Sequence, residues 1–274
     1  MQQDKISTYT KEELRARFNP DGSLLRRQQM RMLDMLVEFD AICKKHDIPY
    51  WLSSGTMIGC ARHGGFIPWD DDLDVEMLRT DYERLIRILP NELPSHLAIQ
   101  THDTDPNYFF SYPKLRDLRS HLEEVNRYDR VFKYQGIFID IFLLEKSPSW
   151  IQKLSCNTID HIYKVMKDTS LDDDTRQKKV AWWYNLNHKF IYPIMRFVSK
   201  FHISRMVHHT FGTPYPAPRC IDEIFPLTTA EFEGIQLPVP HDYDKYLRRM
   251  YGDYMKMPNI EQLHPHYDKL TFEE

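Results

Sequence analysis

Between Trp69 and Glu76 the chain carries five acidic side chains in seven positions, Asp70, Asp71, Asp72, Asp74 and Glu76, with Leu73 and Val75 set among the last three. No other stretch restricts the fold as much, because the charges and the aliphatics need different surroundings. Successive side chains of an extended chain point to opposite faces. Asp70, Asp72 and Asp74 are therefore predicted to share one face of a strand, while Leu73 and Val75 enter a core. Carboxylates this close repel unless a cation neutralises them, and hard oxygen donors suit Mg²⁺ or Mn²⁺. The chain holds its own control. Asp172-Asp173-Asp174-Thr175 runs straight into Arg176-Gln177-Lys178-Lys179 without interleaved aliphatics and reads as a helix start, its negative charge complementing the helix dipole.

Other residues complete a site on this reading. Gly136-Ile137-Phe138-Ile139-Asp140-Ile141-Phe142-Leu143 is an apolar strand with one carboxylate at its centre, a placement that is costly unless the charge is paired or metal-bound. Asp140 is thus expected to join Asp72 and Asp74 as a metal ligand, with Asp70 nearby. Upstream, Pro49 to Leu52 reads as a short strand and Met57 to His63 as a helix, joined by Ser53-Ser54-Gly55-Thr56. Hydroxyls and backbone N–H groups at such a corner bind anions, although the same residues also serve as an ordinary N-cap. Arg62 and His63 are candidates for phosphate or for pairing with the carboxylates. Lys114 and Arg116 alternate onto one face of a strand over 112–117 and would complement a pyrophosphate, surface charge being the other reading.

The remainder is read mainly for organisation. Residues 1–23 are polar, the start of the chain lacks the apolar core of a secretion signal, and Asn19-Pro20-Asp21-Gly22 is a turn. Apolar spacing predicts helices over 24–46 and 80–89, the second ending before Pro90, and a strand over 97–100. Residues 150–209 read as helical, with Trp182-Trp183-Tyr184 most simply in a core, an edge lining an acceptor groove being the other reading, and the adjacent His208 and His209 given no metal. A Pro-rich connection, a strand over 232–239, and a helix from Asp242 to Tyr251 stopped by Gly252 follow. Arg248, Arg249, Tyr251 and Tyr254 are read either as ligand contacts or as ordinary surface residues. A formal charge of −4 gives no sign of nucleic-acid binding. Cys43, Cys60, Cys156 and Cys220 are too scattered for a zinc quartet or a disulfide framework, which points to a reducing compartment and a cytoplasmic protein. The longest apolar stretch, 190–201, is broken by Pro193, Arg196 and Lys200, too short and too charged to span a bilayer.

Three blocks resemble one family: Ser54 to Asp74, Gly136 to Phe142, and Val239 to Tyr254. Together they are similar to the LicD family, over about residues 25–266. The resemblance implies an α+β fold with a nucleotidyltransferase-like core, a small mixed β-sheet flanked by helices that carries its carboxylates on strands. It implies one LicD-like domain over 1–274, with a catalytic core over 24–145, a helical region over 148–212 and a C-terminal segment over 213–274 packing back on the core. The family's Gly-Ser turn is Gly55-Thr56 here, which keeps the hydroxyl, and Asp72, Asp74 and Asp140 match its aspartates. The implied activity is Mg²⁺-dependent transfer of phosphocholine, or a related phospho-alcohol, from a CDP-linked donor such as CDP-choline to a glycan or glycolipid, releasing CMP. That places the chain in lipopolysaccharide, capsule or teichoic acid assembly, with peripheral contact to a lipid-linked acceptor allowed. A nucleotidyltransferase that releases pyrophosphate from an NTP, and a non-catalytic metal- or nucleotide-binding protein, are the competing readings.

Overall fold

The computed structural model describes residues 9–262 and 267–273; the first eight residues, on which the absence of a signal core was read, lie outside them. The N-terminal stretch is not simply polar chain. It contains α1 (Lys11–Phe18), opened by a capping box in which the Thr10 hydroxyl accepts from Glu13 N–H and the Glu13 carboxylate accepts from Thr10 N–H. α2 (Leu24–Lys45) is capped by Ser23 and buries Met32, Leu33, Met35, Leu36, Phe39, Ile42 and Cys43, the stripe a period of 3.6 predicts.

Next come β1 (Trp51–Leu52), α3 (Ser54–His63), β2 (Asp74–Leu78), α4 (Arg79–Glu92), β3 (Leu97–Gln100), β4 (Lys114–Asp117), β5 (Ser120–Glu124) and β6 (Phe138–Glu145). The helical stretch is α5 (Ser149–Lys167), α6 (Asp173–Leu186) and, after a π-turn over Asn187–Ile191, α7 (Tyr192–Ser199). The chain finishes with β7 (Met206–His209), β8 (Arg219–Cys220), α8 (Ile221–Ile224), β9 (Thr228–Phe232), β10 (Ile235–Val239), α9 (Tyr243–Tyr251) and β11 (Tyr267–Phe272).

The result is a mixed α+β architecture. Its central sheet runs β1-β2-β6-β4-β3, with β7 paired to the C-terminal end of β6 and β8 beyond it. β2 and β6 are parallel, and the other pairs in this sheet are antiparallel. The main core joins the apolar stripe of α2 to Val75, Met77, Ile139, Ile141 and Leu143 from the sheet. Phe232, Leu237, Val239, Tyr246 and Leu247 from the C-terminal segment belong to the same cluster. β11 also returns, pairing antiparallel with β5. A second cluster seats Ile159, Ile162, Met166 and Val180 of α5 and α6 on Tyr108, Phe109 and Phe132.

Several sequence expectations are corrected by local physics. The predicted acidic strand begins only at Asp74. Before it, the carbonyls of Asp70 and Asp71 accept from the side-chain amides of Gln29 and Gln28 of α2, so helix side chains replace a strand partner. α4 continues through Pro90 to Glu92: the missing N–H falls in the last turns, where burial of Leu85 and Leu89 outweighs one lost bond. Residues 206–209 are not helical but form β7, a segment too short to show a period. The strand over 232–239 is two strands joined at Glu233 and Gly234, both at positive φ (50° and 81°), the geometry of a tight hairpin turn. Trp182 is 58% exposed rather than in a core. The Asp172 triplet is a helix start as expected, Asp172 accepting from Thr175 N–H.

Candidate active site

Three neighbouring strands bring three charged residues to one rung of the sheet. Asp74 of β2 lies opposite Asp140 of β6, and Lys114 of β4 lies opposite Asp140 on its other side. Adjacent strands are about 4.8 Å apart and residues in register share a face, so the two carboxylates and the ammonium are neighbours by topology. All three are buried. Lys114 Nζ stands 2.9 Å from Asp140 Oδ1, an ion pair without the alignment of a full hydrogen bond, because that oxygen keeps no well-directed donor. The Lys114 ammonium also rests 3.2 Å from the centre of the Phe138 ring, a cation–π contact.

The N-terminus of α3 is stitched to this rung. Ser53 N–H donates to the Asp74 carbonyl at 3.1 Å, and Asp74 N–H donates to Thr56 Oγ1 at 2.8 Å. Glycine at 55 then matters sterically, since a Cβ there would lie 2.8 Å from Asp70 Oδ2. The bare backbone lets the Asp70 carboxylate close on the helix end. A cavity of about 390 Å³ results, with Asp70, Asp72, Asp74 and Asp140 on one side and Ser54 and Gly55 at the helix end. Phe142, Tyr215 and Tyr251 give it aromatic walls, and His209 and Arg219 close it.

The electrostatics of this cavity are lopsided. Burial pushes the Asp74 carboxyl well above its ordinary range, and Asp72, Asp140 and Asp70 push it further against the pull of Lys114. Asp140 is also raised by burial, opposed chiefly by Lys114. Two positions along β2 the balance reverses. Burial would raise Glu76 as well, but Arg219, His209 and Tyr246 outweigh it and hold the carboxyl at about 2. Glu76 is fully buried and accepts from Trp51 Nε1, Tyr246 Oη and Arg219 Nε at 3.1, 2.7 and 2.9 Å, with His209 Nε2 at 3.0 Å. His209 is lowered to about 4, by burial first and then by Arg219, so at neutral pH it is an uncharged ring. That ring stacks on Phe142 with centroids 4.9 Å apart.

The four aspartates named from the sequence thus share one cavity with Ser54 and Gly55. The remaining candidates do different work. Thr56 is buried and spends its hydroxyl on Asp74 N–H rather than lining the cavity. Lys114 meets the site through Asp140. Arg116 is fully buried, donating to Gln100 Oε1 and the Gly136 carbonyl, and is not brought to the cavity. Arg62 donates to the Tyr254 carbonyl and to His63 Nε2, tying α3 to the C-terminal segment, while burial and then Arg62 lower His63 to about 4. Arg248 pairs with Asp244 and Arg249 with Glu223; of the α9 candidates, Tyr251 faces the cavity.

The missed residues are Glu76, His209, Tyr215 and Arg219. Glu76 carried a readable signal, because a charge between Val75 and Met77 on the Asp74 face demands cationic partners as Asp140 does. Arg219, at the end of a Pro-rich connection, carried none.

The donor set fits a hard divalent cation. It is all-carboxylate, with Lys114 ion-paired to Asp140 and Arg62 near enough to feel the charge of Asp70, and holds a buried oxygen on Asp140 without a directed donor. Among the described residues no three His, Cys, Asp or Glu side chains already stand at the spacing of a closed metal cage, so an ion would draw the carboxylates inward.

The chain is similar in sequence to known proteins. A family model described as LicD/FKTN/FKRP, nucleotidyltransferase domain, matches residues 47–153, a span that contains all four cavity aspartates. The lipopolysaccharide cholinephosphotransferase LicD of Haemophilus influenzae is 31% identical over 266 residues, covering 89% of this chain and 96% of that one. The ribitol 5-phosphate transferase FKRP of Homo sapiens is 47% identical over 34 residues, 12% of this chain and 7% of that one. The chain belongs to the LicD family.

Proposed function

We propose that the protein is a divalent-metal-dependent phosphotransferase with a nucleotidyltransferase-like core. It moves phosphocholine, or a related phospho-alcohol, from a CDP-linked donor to a glycan hydroxyl and releases CMP. The observation that carries this reading is the rung Asp74–Asp140–Lys114 facing a cavity that also holds Asp70 and Asp72, in a chain of this family. Asp72, Asp74 and Asp140 would hold Mg²⁺ or Mn²⁺. Such an ion, when bound, neutralises a pyrophosphate and stabilises the departing nucleotide.

The chain's own groups do the rest. The Ser54 hydroxyl and the first N–H groups of α3 face the acidic wall and donate to phosphate oxygens. Arg219, buried at the cavity edge and paired with Glu76, fixes that wall of the cavity in place. Lys114 opposes the rise that burial imposes on Asp140 and so favours its ionised form. Asp70, the fourth carboxylate, is our choice for the base that takes the acceptor's proton as its oxygen attacks phosphorus. Tyr215 and Tyr251 offer aromatic surface of the kind that holds a quaternary ammonium, which favours choline as the head group. Scattered free cysteines fit a reaction on the cytoplasmic side.

The test is product analysis. Purified protein with CDP-choline and a glycan acceptor should release CMP only when Mg²⁺ or Mn²⁺ is present. Pyrophosphate from CTP, with no CMP from CDP-choline, would make it a nucleotidyltransferase instead.

A further inference from the structure

Charge is distributed unevenly along this chain. Residues 175–221 contain eight lysines and arginines and no aspartate or glutamate, in a protein whose formal charge is −4. Arg176 and Arg219 are buried, while Lys189 and Lys200 are exposed beside α7.

The same segment is apolar on two sides. Tyr192 and Met195 of α7 pack inward on Ile151 and Phe211. Phe190, Ile194, Phe197 and Phe201 recur at steps of four, three and four, which places them on one helical face, and they are 61% to 73% exposed. Val198 and Ile203 extend that exposed surface. α5, which packs against α7, leaves Trp150 and Leu154 exposed as well. Next to α7 a groove of about 940 Å³ is rimmed by Arg79, Lys146, Lys200 and Arg205, with Glu83 and Glu145 also on its walls. Among the described residues no helix is long and apolar enough to cross a membrane. A short helix with a bare aromatic-aliphatic face bordered by cations has the composition of an element lying in the plane of a bilayer surface.

We propose that the α7 face docks on an anionic bilayer. Phe190, Ile194, Phe197 and Phe201 enter the acyl-chain boundary, and Lys189 and Lys200 meet lipid phosphates. The choice of a bilayer over a protein partner rests on charge: Arg79, Arg196 and Arg205 are already paired with Glu83, Glu145 and Asp222, but the exposed Lys189 and Lys200 flank the aromatic face in a segment that itself carries no acid, and each exposed lysine contributes about fivefold near a sheet of phosphates. The geometry also sets a stand-off. β6 runs from Asp140 in the cavity to Glu145 in the groove, five residues or about 17 Å of strand.

Vesicle flotation tests this without any assumption about catalysis. The full chain should float with phosphatidylcholine vesicles that contain phosphatidylglycerol and stay behind with phosphatidylcholine alone. Phe197→Asp with Phe201→Asp should weaken binding by about tenfold per ring removed from the lipid. Lys189→Glu with Lys200→Glu should weaken it as well and abolish its salt dependence. All five positions substituted are exposed, and circular dichroism melts identify any variant that fails to fold; Ile194→Asn then replaces it.

Three results overturn the proposal. In the first, the wild type fails to float with anionic vesicles at all. It can float while the phenylalanine variants float equally, which is adsorption by charge alone. It can prove to be a dimer in solution that the phenylalanine variants split, which makes a second copy the occupant of the face.

Discussion

Asp74 and Glu76 are two positions apart on β2, point to the same side of the strand and are both buried, yet their surroundings oppose each other. Glu76 is answered by an arginine, a histidine, a tyrosine and a tryptophan, and its carboxyl is held low. Asp74 faces three other aspartates with one lysine in reach, and its carboxyl is pushed up. β6 repeats the contrast. Asp140 is raised, whereas Glu145 accepts from Arg196 Nε at 2.7 Å, Thr210 Oγ1 at 2.7 Å and Phe211 N–H at 3.1 Å and is lowered. Burial therefore does not separate site from scaffold in this protein. What separates them is whether the chain supplies its own counter-charge. Where it does, the carboxylate holds the fold together; where it does not, as at Asp74, the deficit is what the proposed cation would neutralise.

Substitutions at the paired positions should pull activity and stability apart. Asp74→Asn should cost about a thousandfold in CMP release, the scale of removing an electrostatic element of a transition state. It should leave the melting temperature unchanged or raised, since one of four crowded charges is gone. Mg²⁺ should raise the melting temperature of the wild type by mass action and do so far less for Asp74→Asn. Glu76→Gln should do the reverse in kind. Removing one partner of a buried ion pair strands Arg219 and costs about 3–5 kcal/mol, read as a lower urea midpoint. A Glu76→Gln protein as stable as wild type would mean that the buried counter-charges contribute nothing to the fold.

Glu145 adds a pH axis to the same contrast. Burial alone would raise its carboxyl, but Arg196 and Thr210 win and lower it. A depressed carboxyl contributes stability that is present above its unfolded value, 4.5, and lost as pH falls through the folded one. Glu145→Gln should therefore be less stable than wild type by about 2 kcal/mol at neutral pH. The gap should close as the pH is lowered below 4.5. A gap that stays constant with pH would mean the ion pair to Arg196 contributes nothing.

Much of the site was legible because it is written in local pattern. Asp72-Leu73-Asp74 with Asp140 inside an apolar run reports charged residues that a core must accommodate, and that argument needs no partner strand. The Gly55 corner and the α9 caps are equally local. The part that could not be read depends on distant pairing. β7 is four residues long and takes its meaning from the end of β6, and Arg219 reaches Glu76 across 143 positions. Arg116 misled for the same reason. Alternation put it on the face of Lys114, as the structure does, but could not say that Gln100 and Gly136 would enclose it. The acidic loop misled differently: Gln28 and Gln29 look like surface residues of α2 until their amides are seen holding the carbonyls of Asp70 and Asp71.

The smallest expected effect probes how tightly the acidic wall is set against the helix end. In Gly55→Ala the added Cβ would meet Asp70 Oδ2 at 2.8 Å, closer than carbon and oxygen tolerate, and the far end of a side chain is what must yield. Because a carboxylate can rotate away, the fold should lose little, and the helix itself gains from alanine, by up to about 1 kcal/mol. If Asp70 takes the acceptor's proton, displacing it by a few tenths of an ångström should lower turnover by about tenfold, with donor affinity changed less, since misplacement of a reacting group acts on the chemical step. Steady-state kinetics with CDP-choline, paired with a thermal melt, reads both quantities. Full turnover in Gly55→Ala would release Asp70 from the role of base and pass it to Asp140, whose position on the rung the substitution leaves untouched.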